Sequence, residues 1–275
     1  MDEFTIVFTD LDGTFLDHDT YSHEASMKGL EILKKRRIPL VMVSSKTFDE
    51  MKIIHSDLKL NSPFIFENGG GLAFPEIIQG DYSFRTTGPD TSTLKIHLAT
   101  LEKEFSCAIR FICDISLEQL IAATALPEYR ARLAQMRKVS LPFLISDKKK
   151  FGNEELNLIN SHIHHLGIVI TKGGRFFHLM SNSFNKGTAM EDVVTHYKKI
   201  MPDAMIVTMG IGDSENDIAL LEKVDKTYLV RKKDGSYIST GIKNIIITEK
   251  AGPAGFSEAI LKEFDSTSLP GILPA

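Results

Sequence analysis

The chain has 275 residues, of which 43% are apolar and 25% charged, and its formal net charge is -4. This composition belongs to an ordinary globule of one large or two modest domains, with no basic footprint for nucleic acid or an anionic membrane. No apolar run approaches the roughly 18 residues of a membrane span, and no basic segment with an apolar stretch behind it opens the chain, so a cytoplasmic protein is expected.

The first element is Phe4-Thr5-Ile6-Val7-Phe8-Thr9, β-branched and aromatic without charge, the pattern of a short buried strand. It stops on Asp10 and Asp12, and Gly13 permits a tight turn directly afterwards. Both carboxylates therefore fall in a loop at a strand's C-terminal end, where open α/β sheets place ligands. Two anions this close are costly to bury unless a cation joins them. A hard divalent ion with oxygen ligands is the natural partner. Taken alone, the stretch also fits a plain Asp-Gly surface turn.

Ser22 is the expected N-cap of a helix over residues 24–35, with Ala25, Leu30, Ile32 and Leu33 on one side. Residues 39–43 read as a buried strand ending at Ser44, 48–58 as a helix, and 64–66 as a third strand. Strand and helix alternating at these spacings suit parallel crossovers and predict an α/β fold with a doubly wound, Rossmann-like parallel sheet. Between about 84 and 180 the texture changes. A helix is expected over 91–105, a strand over 108–112, helical stretches between 116 and 137, a strand over 143–145 and a helix over 153–166. Two strands, 168–171 and 175–180, face each other across Gly173-Gly174. This α+β block has its own apolar residues and reads as an inserted cap, dividing the chain into core 1–85, cap 86–182 and core 183–275. The alternation resumes with a helix over 186–199, a strand over 204–209, a loop over 210–217, a helix over 218–223 and strands over 227–230 and 245–247. The tail 265–275, with Ser, Thr, Gly and Pro, is expected to fray. Cys107 and Cys113 are read as reduced thiols.

Four polar clusters fall at the ends of core elements: Asp10/Asp12, Ser44, Lys186 and Asp213/Asp217. Their carboxylate excess calls for a metal, and oxygen-only donors indicate Mg²⁺ rather than zinc. Such a site suits phosphate, with Lys186 supplying charge, Ser44 a hydrogen bond and the loop after Asp10 its backbone N–H groups. One carboxylate can attack phosphorus. A second can protonate the leaving alcohol and later deprotonate water.

Thr9-Asp10-Leu11-Asp12-Gly13-Thr14, Ser44, Lys186 and Gly212-Asp213-Ser214-Glu215-Asn216-Asp217 resemble, in order, the four motifs of the haloacid dehalogenase-like (HAD) phosphatase superfamily. The resemblance spans the chain, because the insertion falls where that superfamily carries its large C2-type cap. It implies Asp10 as nucleophile and Asp12 as general acid/base. It also implies Mg²⁺ held by Asp10, the Asp12 main-chain carbonyl and Asp213, with Asp217 supporting that shell. More narrowly, residues 43–47, Glu67-Asn68-Gly69, Gly174-Arg175-Phe176-Phe177-His178 and Gly252-Pro253-Ala254-Gly255-Phe256 resemble segments of mannosyl-3-phosphoglycerate phosphatases, which act in making mannosylglycerate, a compatible solute. A substrate with both phosphate and carboxylate wants further cations, for which Lys46, Arg175, Arg130 and Arg132 are candidates; Asn68 and Gly69 complete the expected substrate contacts.

The expected partner is thus a small phosphorylated sugar, with no nucleic acid or membrane, for a monomer or weak homodimer. Competing readings are phosphatases of glucosyl-3-phosphoglycerate, sucrose phosphate or hexose phosphates, a phosphomannomutase, and a non-enzymatic sugar-phosphate sensor. Lys46 is open between ligand contact and solvated lysine, and Gly69-Gly70-Gly71 between letting backbone approach substrate and making a hairpin turn. His162, His164 and His165 read as a wet helix face, and His178 as a packed strand histidine. Gly210-Ile211-Gly212 lacks the third glycine of a dinucleotide fingerprint.

Overall fold

The computed structural model describes residues 3–76, 81–145, 151–173 and 176–265. In chain order the elements are β1 (Glu3–Thr9), α1 (Met27–Arg36), β2 (Leu40–Val43), α2 (Phe48–Asp57), β3 (Phe64–Phe66), β4 (Gly71–Pro75), β5 (Tyr82–Thr86), α3 (Thr91–Lys95), α4 (Leu98–Phe105), β6 (Ile109–Phe111), α5 (Leu117–Thr124), α6 (Glu128–Ala134), β7 (Ser140–Ile145), α7 (Asn153–Ile163), β8 (Ile168–Lys172), β9 (Phe177–Ser181), α8 (Lys186–Ile200), β10 (Met205–Gly212), α9 (Ile218–Leu221), β11 (Lys226–Arg231), β12 (Ile246–Ala251) and α10 (Gly252–Phe264). The fold is α/β, as expected. The chain forms two compact units, one of residues 1–42 with 194–275 and the other of 43–193.

In the first unit the strands run in the order β12-β11-β10-β1-β2, each neighbouring pair parallel. Ile6, Val7 and Phe8 are fully buried, as befits a strand covered on both faces. The succession from β1 goes one way to β2 and the other way to β10, β11 and β12, so the order reverses between β1 and β10. Open α/β sheets bind ligands outside the carboxyl ends of the strands at such a reversal. Asp10 follows β1 and Asp213 follows β10, so both acids sit there.

In the second unit β3, β4 and β5 form an antiparallel meander. A separate sheet has the order β6-β7-β9-β8, all antiparallel. Alternate residues Leu141 and Phe143 of β7, Phe177 and Leu179 of β9, and Ile168 and Ile170 of β8 join one core with Leu101 and Phe105 of α4 and with Leu156, Ile159 and Ile163 of α7. The sheet thus has one face under helices, the arrangement expected of a half-covered antiparallel sheet.

Several expected boundaries are corrected. The single helix over 91–105 is two helices, with a break at Ile96 and His97. The strand starting near 204 continues to Gly212, so part of the expected loop 210–217 is strand. His23, not Ser22, is the formal cap of a 3-10 turn over Glu24–Ser26 that precedes α1, although the Ser22 hydroxyl does accept the Glu24 N–H at 3.3 Å. The glycines after β3 serve close packing: an ideal Cβ at Gly71 would lie 2.0 Å from the Phe66 ring, and Gly71 opens β4. The expected hairpin turn at Gly174 and the tail beyond Asp265 lie outside the described residues.

Candidate active site

The site is built on the two loops that leave β1 and β10. The Asp10 N–H donates to the Ile211 carbonyl at 2.9 Å, which carries the β1–β10 pairing one step past the strand. Gly13 N donates to Leu16 O and Leu16 N to Leu11 O, folding the loop back on itself. Gly13 takes φ +88, and an ideal Cβ there would stand 2.7 Å from Asp213 Oδ2. No residue with a side chain fits both constraints. Thr14 Oγ1 donates to Asp213 Oδ1 at 3.0 Å. Asp213 is in turn held from behind: its N–H, the Ser214 N–H and the Ser214 hydroxyl all donate to Asp217 Oδ2, at 3.1, 3.0 and 3.0 Å. Gly212 leaves room for this, since a Cβ there would lie 2.7 Å from the Asp217 carboxyl carbon.

Asp10, Asp213 and Asp217 each place a carboxylate oxygen within 4.8 Å of the other two, and all three are buried. At an effective dielectric of about 20, unit charges at that separation repel by about 3 kcal/mol per pair. Three such pairs load the fold by about as much as the net stability of a whole domain. A bound cation removes that load. The donor set is all carboxylate oxygen, which selects a hard ion. Octahedral Mg²⁺ at about 2.1 Å spaces its ligands about 3 to 4.2 Å apart, and the three carboxylate oxygens, within 4.8 Å of one another, gather on that scale. The Asp12 carboxylate is not one of the three. Asp12 makes a parallel bridge to Leu16, and its Oδ1 is shielded from solvent.

The remaining candidates belong to the other unit. Ser44, which is 1% exposed, follows β2; its N–H donates to Ile65 O at 3.0 Å and its Oγ accepts the Lys46 N–H at 3.2 Å. Its carbonyl accepts the Asn68 N–H at 2.9 Å, and the Lys46 carbonyl accepts the Glu67 N–H at 2.9 Å. The ends of β2 and β3 are therefore laced together, bringing Ser44, Lys46 and Asn68 close. Lys46 is buried, which excludes the freely solvated lysine. Lys186, 1% exposed, opens α8 directly after Asn185, whose Oδ1 accepts the N–H groups of Gly187 and Thr188 at 2.9 Å. Gly69, at φ +103, lies so close to this helix start that a Cβ would meet Asn185 O at 2.2 Å and Lys186 N at 3.0 Å. Residues 67–70 thus make the turn between the antiparallel strands β3 and β4, the hairpin reading of these glycines, and Gly69 in that turn packs on the start of α8.

The arginines divide. Arg132 spends its Nε and Nη2 on Glu128, at 3.1 and 2.6 Å, in an exposed pair one helical turn apart. Arg130 donates to Tyr129 Oη at 3.0 Å. Arg175 lies outside the described residues. Three residues that were not candidates in the sequence take prominent places: Thr14 against Asp213 of the acid trio, and Glu67 and Arg137, whose side chains are buried and hydrogen-bonded to main chain. Thr14 was legible, being part of the first motif; the other two owe their roles to contacts between distant segments.

Comparison with known proteins agrees with this geometry. A family model described as haloacid dehalogenase-like hydrolase matches residues 7–114 and 126–241. A glucosyl-3-phosphoglycerate/mannosyl-3-phosphoglycerate phosphatase of Persephonella marina is 34% identical over 264 residues, covering 93% of this chain and 95% of that protein. A protein of the same name from Methanococcoides burtonii is 34% identical over 272 residues, covering 93% and 96%. Among solved structures, a sucrose-phosphatase from Synechocystis sp. PCC6803, in complex with sucrose and phosphate, superposes with a TM-score of 0.60 at 16% identity, covering 96% of this chain and 99% of that one. A Thermoplasma acidophilum protein reaches a TM-score of 0.66 at 19% identity, covering 95% and 98%. The motifs, the acid trio at the strand-order reversal and these likenesses converge: the chain belongs to the haloacid dehalogenase-like hydrolases, as a phosphatase.

Proposed function

We propose that this enzyme is a Mg²⁺-dependent phosphomonoesterase that hydrolyses mannosyl-3-phosphoglycerate, or its glucosyl counterpart, to the sugar glycerate and inorganic phosphate. The observation that carries the metal and the chemistry is the buried trio Asp10, Asp213 and Asp217 at the end of β1 and β10. Those three residues would hold Mg²⁺, with the Asp12 carbonyl, and the ion would neutralise phosphate charge. The Asp10 carboxylate attacks phosphorus; its O–P bond forms as the ester P–O bond breaks, and the leaving alcohol oxygen takes a proton from the Asp12 carboxylic acid. Asp12, now a carboxylate, takes a proton from water as that water attacks the aspartyl phosphate, releasing Asp10 and phosphate. Ser44 supplies a hydroxyl donor and Lys186 an ammonium to the phosphate oxygens, since phosphoryl transfer asks chiefly for positioning and charge neutralisation. Residues 86–182 serve as the cap that selects the leaving group, with Lys46, Asn68, Gly69, Arg130, Arg132 and Arg175 as contacts for sugar and carboxylate.

Support for the sugar-glycerate substrate comes from the two relatives of that name and their near-complete coverage. A phosphate-release screen over phosphorylated sugars tests it. The expected result is the highest kcat/KM on mannosyl- or glucosyl-3-phosphoglycerate. A higher value on sucrose phosphate or a simple hexose phosphate overturns the substrate. Transfer of phosphate to a second sugar, without release, overturns hydrolysis in favour of a mutase.

A further inference from the structure

Ser44 and Lys46 stand on the loop after β2, and Asn68 and Gly69 on the turn after β3. Both loops are gripped by one stretch of chain, residues 133–140, which runs from the end of α6 into β7. On the first loop, Thr47 Oγ1 donates to the Leu133 carbonyl at 3.0 Å. Arg137 Nη1 donates at 2.6 Å to the carbonyl of Ser45, the residue between Ser44 and Lys46. The guanidinium is fixed from its other sides by the Ala134 carbonyl, 2.9 Å from Nε, and by Glu50, 3.9 Å from Nη2. The Arg137 side chain is only 6% exposed, so this fork is spent inside the protein.

On the second loop the grip is a carboxylate. Glu67 is fully buried. Its Oε1 accepts the Lys138 N–H at 2.8 Å, and its Oε2 accepts the Val139 N–H at 3.0 Å and both the N–H and hydroxyl of Ser140 at 2.8 Å. Glu67, Asn68 and Gly69 have φ of 47, 58 and 103 in succession. Left-handed backbone costs about 1 to 3 kcal/mol at a residue other than glycine and persists only where the surroundings over-determine it. Four hydrogen bonds to a charged group, at about 1.5 to 3 kcal/mol each, are enough to do so. The same turn lies against the start of α8 at Asn185 and Lys186.

We propose that Glu67 and Arg137 are positioning residues: through them residues 133–140 fix Ser44 and the turn that backs Lys186. The segment assigned to leaving-group recognition thereby also sets the placement of the phosphate-binding groups. The inference rests on the proposed role of Ser44 and Lys186 and extends it to residues that touch no substrate.

The test uses the full chain and p-nitrophenyl phosphate, an ester without a sugar, at a temperature where near-ultraviolet circular dichroism shows each variant folded. Glu67→Gln and Arg137→Lys are expected to lower kcat about tenfold or more with little change in KM, because misplaced donors forfeit transition-state contacts. Ser140→Ala, which leaves three of the four bonds to Glu67, is expected to move kcat less and in the same direction. Variants with a lowered Tm but wild-type kcat and KM would show a purely structural role and overturn the proposal. Should Glu67→Gln not fold, wild-type kcat in both Ser140→Ala and Arg137→Lys overturns it equally. Ser44→Ala separates the two levels. Wild-type kcat in that variant removes the phosphate reading and this inference with it, whereas a crippled Ser44→Ala beside fully active Glu67 and Arg137 variants removes this inference alone.

Discussion

The Thr14 hydroxyl and the Asp213 carboxylate, 199 residues apart in sequence, are joined by a hydrogen bond of 3.0 Å. That bond ties the loop after β1 to the loop after β10 and orients one of the three clustered acids. Thr14→Val keeps the branched shape and removes the donor. A hydrogen bond to a charged group contributes about 1.5 to 3 kcal/mol, so the half-saturating Mg²⁺ concentration is expected to rise about tenfold or more. Phosphate release followed during a Mg²⁺ titration measures this; an unchanged midpoint contradicts the assigned role of Thr14.

Asp10→Asn removes the proposed nucleophile and one charge of a repelling trio. Turnover is expected to vanish. In metal-free buffer the variant is expected to melt no lower than the wild type, and higher if the lost repulsion of about 3 kcal/mol per pair is fully recovered. Calorimetry with chelator present, alongside an activity assay, reads both. Residual activity near the wild-type rate would falsify the nucleophile assignment.

Chelation probes the same cluster from the other side. EDTA is expected to abolish activity and lower Tm, since an ion bound only by the folded state stabilises it by mass action. Excess Mg²⁺ restores both. Full activity in chelator is incompatible with the reading of the acid trio as a metal centre.

His55, on α2, gives a pH signature independent of catalysis. It is fully buried, with Nε2 2.8 Å from the Ser62 carbonyl and Nδ1 2.9 Å from Tyr82 Oη. A carbonyl only accepts, so Nε2 carries the proton and the neutral ring accepts the tyrosine O–H at Nδ1. Burial pushes its pKa down to about 4 from 6.5. The folded state therefore resists protonation that the unfolded chain accepts. Stability from this group is fully present above pH 6.5 and is lost as pH falls from 6.5 toward about 4, by about 3 kcal/mol in all. Urea midpoints of the wild type and His55→Gln at pH 7.5 and pH 5 compare the two slopes. The variant is expected to be weaker at the higher pH and to lose less on acidification; equal losses refute the buried neutral imidazole.

The alternation of strand and helix was legible in the sequence because β1 from Phe4 onward, β2 and β3 are short uncharged runs followed by polar residues, a local pattern that survives folding intact. Asp10 and Asp213 were legible for a similar reason, as each stands just past a strand. Other features were hidden by their tertiary origin. The helix expected over 91–105 has continuous periodicity, and nothing in residues 96 and 97 forecasts the break. Helix α10, which begins Gly252-Pro253 and has Gly255 in its first turn, was not among the expected elements. Yet proline is at home in a first helical turn, and a side chain at Gly255 would collide with the Lys250 carbonyl at 2.4 Å. Strand β4 starts on a glycine that a ring covers. Arg130 and Arg132 attracted notice as cap cations, whereas Arg137, a few residues on, is the arginine enclosed by main-chain carbonyls. Its spacing is no different from theirs; only the fold distinguishes it.

The pairing of β1 with β10 along the full length of β1, from Glu3 with Met205 to Thr9 with Ile211, bears on how the chain is made. During synthesis the N-terminal strand emerges long before its partner, and β2 offers only three pairings meanwhile. The apolar stretch Ile6-Val7-Phe8 thus waits for a neighbour encoded almost two hundred codons later, a sequence separation of the kind that slows folding. Until that neighbour arrives the acid trio cannot assemble, because Asp213 and Asp217 follow it in the order of translation.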